Sequence, residues 1–351
     1  MDSLHFSRQH DTRNPSFQSV DRRAFLQRTG IAAMAASAQL GLPALSAAGP
    51  GGADSPESMV QLLYESFTPG QREKVCFDWG HEDEQRGLLR SRVAANWMVT
   101  PPTLNSEFYT DDQRQMVRAI LEGILQPAWH ERIYRAQQDD SDGFGKHNSV
   151  ALFGRPGAGK FELVLTGRHM TLRCDGNSAE HVAFGGPIFY GHAAKGFREA
   201  ANHPGNVFWP QAVEANRLYQ ALDGRQQQQA LVRQGLPEQS QVGFRAHGDA
   251  FQGIAVRDLS ADQQQRVQEI LQLLIEPYRQ TDQDEVVACL RKQGGLEACH
   301  LAFYAQNDIG NDGVWDNWRL EGPAFVWHYR GSPHVHVWVN VADDPTVRLN
   351  A

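Results

Sequence analysis

An α+β fold, with helices packed on an antiparallel sheet, is expected from three observations. Residues 110–127 match residues 260–277 without a gap, at a constant offset of 150, and both segments carry helical periodicity. Each is followed, a little over twenty residues later, by alternating stretches that read as paired strands. Towards the C-terminus the alternation becomes strict, in Pro333-His334-Val335-His336-Val337-Trp338-Val339. A helix plus antiparallel strands, written twice, describes an internally duplicated chain.

Taken in order, Gly49–Pro56 reads as a linker and the folded part begins near Glu57. A helix carrying Leu62, Leu63 and Phe67 comes first. Thr68-Pro69-Gly70-Gln71 opens another, because a hydroxyl, a Pro in the first turn and a Gln three residues on suit the unbonded amides of a helix start. In the repeats Thr110 and Ser260 stand at N-caps, Gln113 and Gln263 complete capping boxes, and Pro127 and Pro277 stop the helices. The apolar stripe Val117, Ile120, Leu121, Ile124 and Leu125 returns as Val267, Ile270, Leu271, Leu274 and Ile275. Strands at 149–153 and 161–165 then lead to Gly167-Arg168-His169, and strands at 301–304 and 318–320 lead to Gly322-Pro323-Ala324. The pseudo-repeats span about 110–175 and 260–340 within a single globular domain, 57–351. Between them, Pro210 to the glutamine run Gln226–Gln229 reads as a mainly helical insert with a solvated face.

The N-terminus carries Arg22-Arg23-Ala24-Phe25-Leu26-Gln27, a soft Ala/Gly-rich run and Ser46-Ala47-Ala48. Charge, apolar stretch and small-residue cleavage site in that order suggest a twin-arginine signal peptide over residues 1–48. The run from Ile31 to Leu45 is too short and polar to span a bilayer, so no stable membrane anchor is expected after cleavage. The expected partners are the twin-arginine export machinery and signal peptidase, and the expected destination is periplasmic or secreted. Without residues 1–48 the chain loses five Arg and three Asp, leaving 28 basic against 38 acidic residues, net −10, which argues against nucleic acid as a partner. Four cysteines lie far apart with no CxxC spacing; Cys289 and Cys299 suit either a pair formed after export or buried thiols.

Gly154-Arg155-Pro156-Gly157-Ala158-Gly159-Lys160 has phosphate-loop spacing, but Phe161 replaces the hydroxyl that would hold magnesium. Phe161, Leu163 and Leu165 alternate as a strand would, instead of opening a helix, so a hairpin turn and no bound nucleotide are expected. Histidines carry the stronger signal. His334 and His336 project from one face of a strand, where two imidazoles can chelate one metal. Across Arg330-Gly331-Ser332, a three-residue loop with Gly at its centre would set His328 directly opposite His334; a two-residue loop would turn it away. His169, read as lying on a strand, is the expected third or fourth ligand, with His192 and His247 as further candidates. Imidazole and carboxylate suit zinc, copper or iron. Asp343 and Asp344 are weak candidates for a ligand, an orienting carboxylate or a general base.

With those residues in view, Gly167-Arg168-His169-Met170-Thr171-Leu172, Arg319-Leu320-Glu321-Gly322-Pro323-Ala324-Phe325 and His334-Val335-His336 resemble the domain-of-unknown-function 3500 family. The resemblance runs from Tyr64 and the Gln71–Phe77 segment to the H-x-H strand. It implies export from bacteria, brings no reaction, and favours His169, His334 and His336 as site residues. Many members place an acidic residue where this chain has His328. The expected function is binding of one transition metal, in a metal-dependent hydrolase or oxidoreductase acting on a small molecule. The alternative is a non-catalytic periplasmic protein that binds a metal or small ligand.

Overall fold

The computed structural model describes residues 55–193, 203–234, 242–245, 250–314 and 316–347. The signal peptide read at 1–48, most of the linker, and His247 lie outside the described residues.

Helix α1 (Pro56–Ser66) starts on the Ser55 side chain and α2 (Pro69–Val75) on the Thr68/Gln71 capping box; α2 runs into the short strand β1 (Cys76–Phe77). A small hairpin, β2 (Glu82–Asp83) and β3 (Gly87–Leu88), precedes α3 (Asp111–Ile124), whose Thr110/Gln113 capping box is complete. Val117, Ile120, Leu121 and Ile124 of α3 are buried, as their spacing predicts. Next come α4 (Pro127–Ser141) and four strands, β4 (Asn148–Gly154), β5 (Phe161–Gly167), β6 (Met170–Cys174) and β7 (Ile188–His192). Gly154 pairs with Phe161, so the phosphate-loop look-alike is a hairpin turn.

The same order then recurs: α5 (Trp209–Ala221), α6 (Gly224–Ala230), β8 (Leu231–Val232), a bridge-like β9 (Ile254–Ala255), α7 (Ala261–Ile275), α8 (Gln280–Lys292), and strands β10 (His300–Tyr304), β11 (Asn317–Gly322), β12 (Phe325–Arg330) and β13 (Val335–Val341). The segment read as a helical insert therefore occupies, in the second copy, the place of α1, α2 and β1 in the first. Its sequence match is too weak to see, but α6 opens on a capping box, Asp223/Gln226, like that of α2, and β8 lies parallel to β10 as β1 does to β4.

The sheet order is β1-β4-β5-β6-β7-β13-β12-β11-β10-β8, with β9 also pairing β10. Apart from the two parallel edge pairs it is antiparallel throughout. Gly167 pairs with Met170 and Gly322 with Phe325, so the two corners correspond. Following the registers outward matches Ile188 to Val339, and those two residues are themselves cross-strand partners. An approximate two-fold therefore passes through the β7–β13 pair. At the helix layer Gln126 N–H donates to Pro277 O and Arg279 N–H to Ile124 O, a reciprocal exchange between the α3–α4 and α7–α8 corners.

One sheet face is apolar and packs under the helices: Val150, Leu165, Leu172, Tyr190, Val337, Trp327 and Trp318 belong to one core cluster with Val117, Ile120, Val267 and Leu274. The other face is polar, yet also buried, with Ser149, Glu162, Thr166, Thr171, Arg173, Arg319, Glu321 and Asn340 all at most 4% exposed. Glu162 there is held between Arg90, at 2.7 Å, and Arg173, at 2.9 Å. Burying charge is tolerated because each is paired. All four cysteines are unpaired thiols, and burial pushes Cys289 and Cys299 up to about 12. Among the described residues no helix is long and apolar enough to cross a membrane.

Candidate metal centre

His169 lies at the corner between β5 and β6, not on a strand, with a left-handed φ of 51°. That backbone is unfavourable for a residue with a Cβ and persists only where surroundings enforce it. Here its N–H donates to Ala95 O at 3.0 Å and its Nδ1 contacts the Asp140 carboxylate from the last turn of α4. With Nδ1–H held by Asp140, the tautomer leaves the Nε2 lone pair facing inward. Arg168 Nε donates to the other Asp140 oxygen at 2.9 Å. Burial alone would raise the Asp140 carboxyl, but the hydrogen bonds from His169 and Arg168, with the charge of Arg168, outweigh it and hold the group below its ordinary value.

From β13 the alternation sends His336 to the polar face, and His334, just before the strand, reaches the same point. His169 Nε2 and His334 Nε2 each lie 2.9 Å from His336 Nε2. The three rings are 5–7% exposed. Two imidazole nitrogens that close share a proton or a cation, because facing lone pairs repel. Two nitrogens about 2.0–2.1 Å from one ion, subtending roughly 90–110°, are themselves about 2.9–3.4 Å apart, so the separation fits shared coordination. Gly191, opposite His336 on β7, makes the approach possible. A Cβ there would stand 2.3 Å from Val335 O and 3.4 Å from His169 Cδ2. Phe189 packs edge-on to His336, with ring centroids 5.2 Å apart, as the apolar floor. An open polar pocket of about 330 Å³, lined by Asn96, Asp140, Ser141, Asp142, His147 and Arg168, reaches the carboxylate and arginine behind His169 but is lined by none of the three clustered histidines.

The other candidates go elsewhere. Five residues, 331–335, separate the last β12–β13 pair, Arg330 with His336, so the expected three-residue loop is corrected. Gly331 N–H bonds Asn317 Oδ1 and Asp316 O, which ties the loop to β11 instead of closing a tight turn. A slip of four in register keeps His328 on the same face but sets it opposite Trp338, beside Tyr304, away from the three-ring cluster. His192 pairs with Val335 and therefore leaves β7 on the helix-covered face, near Asp139 and His203. Asp343 and Asp344 follow the far end of β13, on the order of 20 Å along the strand from His336. There Asp343 binds His181, at 2.9 Å, and Lys292, and Asp344 binds Thr346, so neither carboxylate is available to the histidines.

Asp140, Asp139 and His203 were not legible as site residues from spacing. A signal did exist: Asp139-Asp140 sits in the last turn of a helix with no basic residue there, at the negative end of its dipole. Local electrostatics disfavours that placement, so a partner from elsewhere must offset it.

Fold and site together define a two-copy α+β protein with a histidine cluster that could hold a metal ion. The chain belongs to the DUF3500 family, described as "protein of unknown function", whose model matches residues 53–341. Comparison with curated proteins and with solved structures gives no match.

Proposed function

We propose that this chain holds one divalent ion, zinc in the leading reading, through Nε2 of His169, His334 and His336, and acts as a metal-dependent hydrolase on a small molecule. The observation that carries the reading is the convergence of three imidazole nitrogens with one of them backed by a carboxylate. Three protein nitrogens leave a coordination position open, and an ion so held supplies an activated water for hydrolysis. Asp140 keeps the His169 proton on Nδ1, and Arg168 keeps Asp140 ionised. The polar pocket behind His169, lined by Asp140 and Arg168, gives a small substrate a place near the cluster. The twin-arginine-like N-terminus supports export to the periplasm or beyond, in an already folded, metal-loaded state.

Elemental analysis of natively exported protein tests the reading. The variant carrying both His334→Ala and His336→Ala should lose one equivalent of metal; equal content in both proteins sinks the proposal. In cobalt-substituted protein, azide should shift the visible spectrum by taking the open position. An unchanged spectrum with the metal present would instead favour the non-catalytic metal-binding alternative.

A further inference from the structure

On the other side of the same strand pair lies a second group of metal-binding atoms. His192, fully buried, leaves β7 towards the helices, and Asp139 reaches it from α4 one residue before the Asp140 that orients His169. His203 completes the set, and one ligand atom from each of the three lies within 4.8 Å of the others. The His192 and His203 ring centroids are 5.6 Å apart with planes at 35°, and His203 Nδ1 is 4.0 Å from Asp139 Oδ2. Gly205 N–H donates to His203 Nδ1 at 3.1 Å, so that nitrogen is an unprotonated acceptor whose lone pair an ion could take in place of the amide.

Gly205 also leaves the space between the donors clear. A Cβ at this position would stand 2.3 Å from Asp139 Oδ2 and 2.6 Å from His192 Nε2, touching both at once. Asp139 Oδ2 and His192 Nε2 therefore converge beside the Gly205 backbone, and any side chain there would push them apart.

We propose that Asp139, His192 and His203 form a second metal site, selective for a divalent first-row transition ion such as zinc or iron(II). Two imidazoles with one carboxylate suit such ions and leave further positions for water or a substrate oxygen. An ion here replaces the single Gly205–His203 hydrogen bond and neutralises a carboxylate at a helix C-terminus. The consecutive pair Asp139-Asp140 then has one carboxylate serving each site, the first by direct ligation and the second by orienting His169. The site stands on its own residues and does not rest on the three-histidine reading.

Zinc titration of the demetallated full chain, with folding followed by circular dichroism, tests it. The wild type should bind two equivalents. Gly205→Ala, which plugs the gap, should bind one, and Asp139→Asn, which keeps size and shape, should weaken that same equivalent at least about 10-fold. The equivalent left in Gly205→Ala should be the one lost from the His334→Ala/His336→Ala variant. If Gly205→Ala misfolds, Asp139→Asn decides the matter alone. Unchanged stoichiometry and affinity in Asp139→Asn overturns the second site, whereas loss there with no change in the histidine double variant overturns only the first.

Discussion

The β5–β6 corner and the β11–β12 corner occupy equivalent positions in the two copies, yet one carries an imidazole of the buried histidine cluster and the other only packing. His169 fills the first and Ala324 the second. Beneath each is the residue thirteen places after the first of its helix: Asp140 in α4 and Gln293 just beyond α8. Asp140 holds a histidine ring and an arginine. Gln293 instead bonds the backbone of Ala324 in both directions and also Ala342 O, closing a small apolar cluster of Val182, Ala324 and Ala342. One scaffold position thus orients an ionisable group in one copy and pins main chain in the other. The duplicated fold supplies the place, and the side chain decides its use.

That contrast can be broken from either side. The largest effect is expected from His336→Ala, whose ring lies between the other two: zinc affinity at the first site should fall at least about 100-fold by calorimetry, while the apo protein stays folded. Asp140→Asn should weaken the same ion about 10–100-fold, because the orienting carboxylate is lost and the ligand itself is kept. The mirror change, Gln293→Ala, should leave zinc affinity unmoved and cost about 1–3 kcal/mol in chemical denaturation, since buried backbone groups lose their partner. If Gln293→Ala weakened zinc as much as Asp140→Asn does, the division of labour between the corners would be wrong.

A smaller effect separates the helices themselves. Near its start α4 presents Trp129 with Arg132 stacked on its ring, where α8 presents Asp282 and Glu285. Burial, reinforced by the charge of Asp175, pushes Glu285 up to about 8. The folded state therefore keeps a proton that the unfolded state has already lost, so stability should decline as pH rises from about 5 to 8. Glu285→Gln should flatten that slope in thermal melts; an unchanged slope would show that the carboxyl is ionised throughout.

Much of the architecture was legible because it is locally encoded. Capping boxes at Thr68, Thr110 and Ser260 satisfy their own helix starts, and the stripes around Val117 and Val267 need only a helix to become a face. The α5–α6–β8 segment reads from sequence as a mainly helical insert, and it is helical; its kinship with α1–α2–β1 lies in topology, which sequence offset does not register. The site was half legible. His334 and His336 meet as their alternation predicts, although His334 stands just before β13, and His169 was marked by the corner motif it shares in outline with the second copy.

What sequence alone determined, then, are features with a range of a few residues: caps, stripes, the hairpin at Gly154, and the meeting of His334 with His336. Only the tertiary structure decided which strand lies beside which. Pairing β7 with β13 brings His169 to a ring 167 residues away, parity across that pair sends His192 to the opposite face, and a five-residue loop carries His328 past the cluster. Register and strand order are set by burial summed over the whole sheet, and no local spacing contains that sum.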